Sequence, residues 1–373
     1  MFDTQTNTFT LSKQDTSVMK GIAIIAMLCH HVYTCQPEWV EAYPFFLTTL
    51  GVLGKVCVAI FLFCSGYGLA VQYDKTIDSA LTFKKKICTT IKFIIKRLIK
   101  FYSAYWFVFL IFVPITIAFF DRPLSAPYGE SANPFFGVML DLFGLQGFRS
   151  YNITWWFNKL IILLYVVFPI LFLFIKNTKW FGLILCFIAM RFAGHLGVLD
   201  YYEMTIWQFP FVLGIGWAVY QDKMADFSKY LNRYTLLINI GVVLLLGAGV
   251  LQRLYNIMPF GNITGIRFDG FLSILLLLLV IVVLRKCKYI YSTLSFLGKH
   301  SINIYLIHTF LNGYWTCVHK YLHSNEICRW GGVNMWILLL LCLLISIVLE
   351  YAKEKIHWNQ LTNKIILMID KVC

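Results

Sequence analysis

Charge is what this chain lacks. Only 13% of its 373 residues are charged, about half the share found in soluble globular domains. A fold that faces water on every side needs more polar covering than that, so a soluble core-and-surface design is excluded. Several chemical signatures are missing too. The eleven cysteines are scattered singly, with no CxxC pair and no metal-ligand spacing. No HExxH, P-loop, GxGxxG or Ser-His-Asp pattern occurs, which argues against a zinc hydrolase, a phosphate-cradling loop and a triad hydrolase. No stretch interleaves basic and aromatic residues on a soluble face, so the net charge of +14 does not point to nucleic acid. The first 17 residues are polar, and no small-residue cleavage site follows the first apolar run. That run is therefore expected to remain as a membrane span.

Apolar surface is abundant instead. Hydrophobic residues make up 59% of the chain, 33 of them phenylalanine, and the mean hydropathy is +0.72. A helix needs about 20 apolar residues to cross a bilayer core. Ten such runs are expected, centred on 18–36, 47–71, 101–120, 156–175, 180–198, 205–220, 234–251, 268–284, 300–318 and 333–351. With the N-terminus inside, twenty-two Lys and Arg residues fall on the cytoplasmic side and six on the outer side. That bias follows the positive-inside rule and puts both termini in the cytoplasm. The expected organisation is an all-α integral membrane protein: a bundle over 18–351, flanked by cytoplasmic tails at 1–17 and 352–373, the second able to form an amphipathic surface helix.

Ionisable groups inside such runs are costly and mark function by default. In "KGIAIIAMLCHH", Lys20 and His31 are eleven residues apart, which is about 20° around a helix and roughly 16 Å along it. They share a face, while His30 lies about 80° away from Lys20. With Lys20 at the cytoplasmic edge, His31 is expected near mid-membrane, where a neutral imidazole is tolerable and can take a proton. The plainer alternative is that Lys20 snorkels to the interface and both histidines are structural. In "KHSINIYLIHTFLN", Ser301, Tyr305, His308 and Asn312 fall within roughly 40° of one another, a polar stripe on a membrane helix. His308 sits at a depth like that of His31, so the two imply a polar cavity between helices; packing by interhelical hydrogen bonds is the alternative.

Two further stretches carry candidates. "FLFCSGYGLA" sets Gly66 between the hydroxyls of Ser65 and Tyr67, where a backbone or ligand can come close. "KKKICTTIKFIIKRLIKFYSAYW" brings Lys96, Arg97 and Lys100 to the head of a span, a cluster able to hold phosphates at the cytoplasmic face. Topology signalling and anionic lipid account for most of that run equally well. "TWWFNKL" puts Trp155 and Trp156 at an outer interface, where an aromatic belt suffices. Arg191, Asp200 and Glu203 either line an outer mouth or pair with one another.

Taken in order, these stretches resemble acyltransferase family 3, the multi-spanning O-acyltransferases of bacterial membranes. Lys20 and His31 match its basic residue, ten residues, then histidine. "FCSGYGL" is similar to its Phe-x-Ser-Gly-Tyr segment, and "KRLIKFYSAYW" to its basic entry, with Lys100 in place of an arginine and no proline. "WWFNKLIILLYVVFPIL", "FPFVLGIG" and "GKHSINIYLIH" resemble its later helices, and the likeness runs from about 17 to 350. It implies transfer of an acyl group, acetyl foremost, from cytoplasmic acyl-CoA to a hydroxyl of a glycan or lipid-linked saccharide at the outer face. Lys96, Arg97, Lys100, Ser65, Gly66 and Tyr67 would serve the donor, His31 would be the catalytic base, and Trp156, Arg191 and Glu203 would lie on the acceptor side. No metal is implied. The rival class is a proton-coupled secondary transporter, with His31 and His308 as its relay; no paired halves are visible for it.

Overall fold

A computed structural model gives the fold. It describes residues 9–371 except 37, 78–81, 129–132, 196–201, 325 and 331; between 224 and 268 it describes only 240, 241, 244, 247 and 251. Every regular element among the described residues is helical. In chain order these include α1 (Lys13–Tyr33), α2 (Phe45–Gly54), α3 (Cys57–Thr76), α4 (Phe83–Phe119), α5 (Pro134–Leu142), α6 (Trp156–Thr178), α7 (Trp180–His195) and α8 (Tyr202–Tyr220). After them come α9 (Asp269–Val282), α10 (Lys288–Lys299), α11 (Ser301–Thr309), α12 (Thr316–Ser324), α13 (Glu326–Trp330), α14 (Val333–Lys355) and α15 (Trp358–Asp370). Five described segments are long and apolar enough to cross a bilayer: Lys13–Tyr33, Phe45–Thr76, Phe83–Phe119, Ile153–Thr178 and Val333–Lys355. The chain is a multi-pass helical membrane protein. Most of the expected run 234–251 lies outside the described residues.

Local chemistry explains where the helices depart from the apolar runs. α1 begins at Lys13, ahead of the run expected from residue 18. Ser12 and Asp15 form a reciprocal cap: the Asp15 N–H donates to Ser12 Oγ at 3.0 Å, and the Ser12 N–H to Asp15 Oδ2 at 2.7 Å. Residues 47–71 are not one helix, because α2 and α3 part at Lys55 and Val56. Residues 300–318 are not one helix either. After α11 the chain makes a π turn over Phe310–Tyr314, and Trp315 is extended before α12 starts.

The chain divides into two compact units: Met1–Met27, Val52–Lys75 and Phe168–Lys299 form the first, and Leu28–Gly51, Thr76–Val167 and His300–Cys373 the second. In the first unit, the buried Asp15 carboxylate accepts from Arg285 Nε (2.9 Å), Arg285 NH2 (2.8 Å) and Tyr291 OH (2.8 Å). Such partners are what a buried carboxylate requires. α3 and α8 pack through glycines: a Cβ on Gly66 would lie 2.1 Å from Phe211 O, and one on Gly214 would lie 2.2 Å from Phe63 O. Small residues let membrane helices approach this closely.

In the second unit, α11 packs against both α4 and α14. Asn303 links α11 to α14, donating to Ser346 Oγ at 3.0 Å and to Glu350 Oε1 at 2.8 Å. Lys353 belongs to α14 and is buried, its Nζ held by Asn303 Oδ1 (3.1 Å) and Glu350 Oε1 (2.7 Å). α15 is amphipathic and docks on α4. Trp358 Nε1 donates to Ser103 O at 3.0 Å, and Ser103 and Thr362 share a hydroxyl contact at 2.7 Å. Between α4 and α6, Asp141 is buried with its Oδ2 taking Tyr128 OH and the Tyr151 N–H.

Candidate active site

The second unit gathers histidines where α1 ends. The His31 and His308 rings are in contact, with centroids 4.8 Å apart and planes tilted by 52°. His30 lies beside them, 5.2 Å from His31. His31 lies in the last turn of α1. α1 stops two residues later, at Tyr33. Just past that stop, the Thr34 N–H and hydroxyl both donate to His30 O, at 3.0 and 2.6 Å.

The two adjacent histidines have different surroundings. His30 Nδ1 lies 3.0 Å from Gly51 O and 2.9 Å from Thr34 Oγ1. A carbonyl only accepts, so His30 carries its proton on Nδ1 and ties α1 to the end of α2. His31 instead faces His308. The His308 ring is fully buried and oriented by its own helix, with Nδ1 2.8 Å from Tyr305 O and 3.2 Å from Ile304 O. That commits the Nδ1 proton to backbone and leaves Nε2 as the acceptor of the neutral ring. Thr309 Oγ1 lies 3.2 Å from this Nε2 and 3.0 Å from Thr154 Oγ1, so its one proton serves either.

The polar stripe of α11 points inward. Ser301, His308 and Asn312 are buried and Tyr305 is half-buried. Tyr305 OH lies 3.0 Å from both Thr154 O and Asn158 Oδ1. Asn158 is itself buried, and its Nδ2 has no hydrogen-bond partner among the described residues. Asn312 Nδ2 donates to His31 O at 3.1 Å, joining the stripe to α1. The π turn carries Asn312 to this position, a feature periodicity did not anticipate.

The remaining expected residues are spread more widely. Lys20, Ser65, Gly66 and Tyr67 belong to the first unit. There Tyr67 OH takes the Leu11 N–H at 3.0 Å and lies 2.8 Å from Gln221 Oε1, holding the N-terminal segment. Lys96, Arg97 and Lys100 lie on α4 in the second unit. Lys96 forms an ion pair with the Asp370 carboxylate, and Lys92 Nζ donates to Asp370 O at 2.8 Å. Cations at the last carbonyls of α15 also match its helix dipole. The Arg97 guanidinium sits over Phe93 at 5.3 Å, and Lys100 is exposed. Trp156 stacks on Phe148 at 5.3 Å and is half-buried. Its neighbour Trp155 is fully buried and donates to Leu306 O at 3.2 Å, so it is core rather than belt. The side chains of Arg191 and Glu203, and all of Asp200, lie outside the described residues.

Sequence reasoning missed Tyr43, His319, His323 and Asn334, which gather around Asn312. The i, i+4 pair in "CVHKYLHS" was the available signal, since it puts His319 and His323 on one face of α12.

A family model described as an acyltransferase domain, that of acyltransferase family 3, matches residues 15–352. No curated protein and no solved structure matches the chain.

Proposed function

The chain belongs to acyltransferase family 3, and from that premise we propose that it is an O-acyltransferase. It takes an acetyl group from cytoplasmic acetyl-CoA and gives it to a hydroxyl of a cell-envelope or exported glycan, or its lipid-linked precursor. Its setting is the cytoplasmic membrane of a bacterium, crossed ten times with both termini inside. The excess of twenty-two basic residues on one side over six on the other supports that topology.

The observation that carries the reading is the contact of His31 with the buried, oriented ring of His308. A neutral imidazole removes the proton of the acceptor hydroxyl through its unprotonated nitrogen as the hydroxyl oxygen attacks the thioester carbonyl. The carbon–sulfur bond breaks, the CoA thiolate leaves, and it takes the proton from the imidazolium. The products are an O-acetyl ester and free CoA. His31 is the base of this step, and His30 is excluded from it by its ties to Gly51 and Thr34. Lys96, Arg97 and Lys100 offer cations to the CoA phosphates, and Asp370 must give way when they do. Trp156 belongs to the acceptor side.

The test is binding of CoA to the purified protein in nanodiscs, followed by transfer of radiolabelled acetyl to isolated envelope glycan. Saturable CoA binding and alkali-labile label in the glycan are expected. Absence of CoA binding, together with proton-coupled uptake of a small solute, would make the protein a transporter instead.

A further inference from the structure

We propose that Asn312 and His323 are positioning residues for His31: a one-way chain of hydrogen bonds, from Asn334 through Tyr43, His323 and Asn312 to the His31 carbonyl, holds the reacting end of α1 in place. The inference rests on the reading of His31 as the base.

The last carbonyls of a helix have no intrahelical donor. At the end of α1, His30 O is taken by Thr34, while His31 O is taken by Asn312 Nδ2 at 3.1 Å. A carbonyl cannot donate, so the amide of Asn312 must turn its nitrogen toward His31. Its Oδ1 then faces His323 Nε2 at 3.0 Å and can only accept. That fixes the tautomer of His323: the proton is on Nε2 and the lone pair on Nδ1. Tyr43 OH lies 2.7 Å from Nδ1 and so donates to it, and the Tyr43 oxygen accepts from Asn334 Nδ2 at 2.7 Å. Four consecutive bonds thus run in one direction, and one protonation state satisfies all of them. Asn312, His323, Tyr43 and Asn334 are all buried.

The backbone adds a second tie. His319 Nδ1 donates to Asn312 O at 2.7 Å. A regular helix would spend that carbonyl on the amide four residues on, but the π turn and the break at Trp315 release it. The only protonation state the chain tolerates is a neutral His323. The groups facing that ring are Tyr43, His319 on its own helix at 4.7 Å between rings, Trp39 stacked at 6.3 Å, and Arg329 of α13. Arg329 lies over Trp39 and near the exposed Glu326. Burial, then His319 and Arg329, lower the pKa of His323 to about 4, so the ring is neutral at neutral pH.

His323→Leu fills the space but cuts the chain. His323→Gln can restore it, with an amide nitrogen toward Asn312 and an amide oxygen toward Tyr43. Tyr43→Phe cuts one step earlier and keeps the ring. The expected result is a drop in kcat of about 10- to 100-fold for His323→Leu, the scale on which misplacing a reacting group acts. The KM for acetyl-CoA should stay within about twofold, and Tyr43→Phe should lose less than His323→Leu. His323→Gln should recover most of the loss, and its folded yield should equal that of His323→Leu. Histidine 15N and His31 carbonyl 13C NMR are read on the same samples. They should show the Nε2–H tautomer at His323, and a shifted His31 carbonyl in His323→Leu. Those signals test the chain even if wild-type protein transfers no acetyl, a result that would count against the enzyme reading alone. Wild-type kcat in His323→Leu, no rescue by Gln, an Nδ1–H tautomer, or an unmoved His31 carbonyl would each overturn the proposal.

Discussion

Two polar regions of the second unit, both visible as candidate sites in the sequence, are built in opposite ways. The inward face of α11 and of the π turn after it is largely buried, and its polar side chains are tied to backbone and to neighbouring side chains: His308 to Tyr305 O, Tyr305 to Thr154 or Asn158, Asn312 to His31 O. The basic face of α4 is part-exposed, and its Lys92 and Lys96 meet a single residue, Asp370 of α15. Buried polar groups are costly to leave unpaired, so a network of them fixes geometry. An exposed ion pair contributes at most about 1 kcal/mol and is readily exchanged. The first region suits chemistry that needs fixed atoms, and the second suits a ligand that comes and goes.

That contrast can be broken experimentally. Apart from the catalytic base itself, the largest effect is expected at His308. His308→Ala removes the ring against His31, and acetyl transfer should fall about 100-fold, a loss on the scale of misplaced catalytic geometry, with CoA binding kept. Equal activity would dissolve the buried region as a reaction site. A smaller effect is expected on stability with pH at Asp141, in the segment between α4 and α6. Burial raises its carboxyl from 3.8 to about 6. The fold therefore favours the protonated form. That contribution is full below pH 3.8 and is lost as pH rises through about 6. Asp141→Asn should flatten the fall in thermal stability between pH 4 and 6, read by a melting assay; an unchanged slope would remove Asp141 as its source. Tyr305→Phe should come next. It removes the one hydroxyl proton shared by Thr154 O and Asn158 Oδ1, at a cost of about 1–3 kcal/mol in unfolding, and a variant as stable as wild type would show the hydroxyl to be idle. The smallest effect is expected at the basic face. Asp370→Asn frees Lys92 and Lys96, and CoA should bind up to about fivefold tighter, in keeping with an exposed ion pair. Weaker CoA binding would mean that Asp370 belongs to the donor site instead of competing with it.

Much of this was legible in the residues. The helical class followed from the apolar runs, and the stripe of Ser301, Tyr305 and His308 from a spacing that α11 obeys. What was hidden needed contacts between distant segments. Tyr43, His323 and Asn334 lie outside the apolar stretches or at their edges, and Tyr43 meets them across 280 and 291 residues of sequence. No periodicity reports such a meeting. The early start of α1 was hidden because the Ser12 cap begins the helix in a polar stretch that hydropathy ignores. The π turn at Phe310–Tyr314 was invisible for a related reason: a 100° step per residue assumes the regular helix that this turn interrupts. The docking of α15 depends on α4 running unbroken from Phe83 into the span, which carries its basic face to Asp370.

The central claim is that His31, and not its neighbour, takes the proton of the acceptor hydroxyl. It is tested most directly by acetyl incorporation into isolated envelope glycan, measured for wild type, His31→Ala and His30→Ala in nanodiscs at matched protein and saturating acetyl-CoA. General-base action is worth about 10²–10⁴-fold in rate. His31→Ala should lose activity on that scale while still binding CoA, and His30→Ala, whose ring is tied to Gly51 and Thr34, should keep a measurable fraction. An active His31→Ala beside a dead His30→Ala would contradict the account.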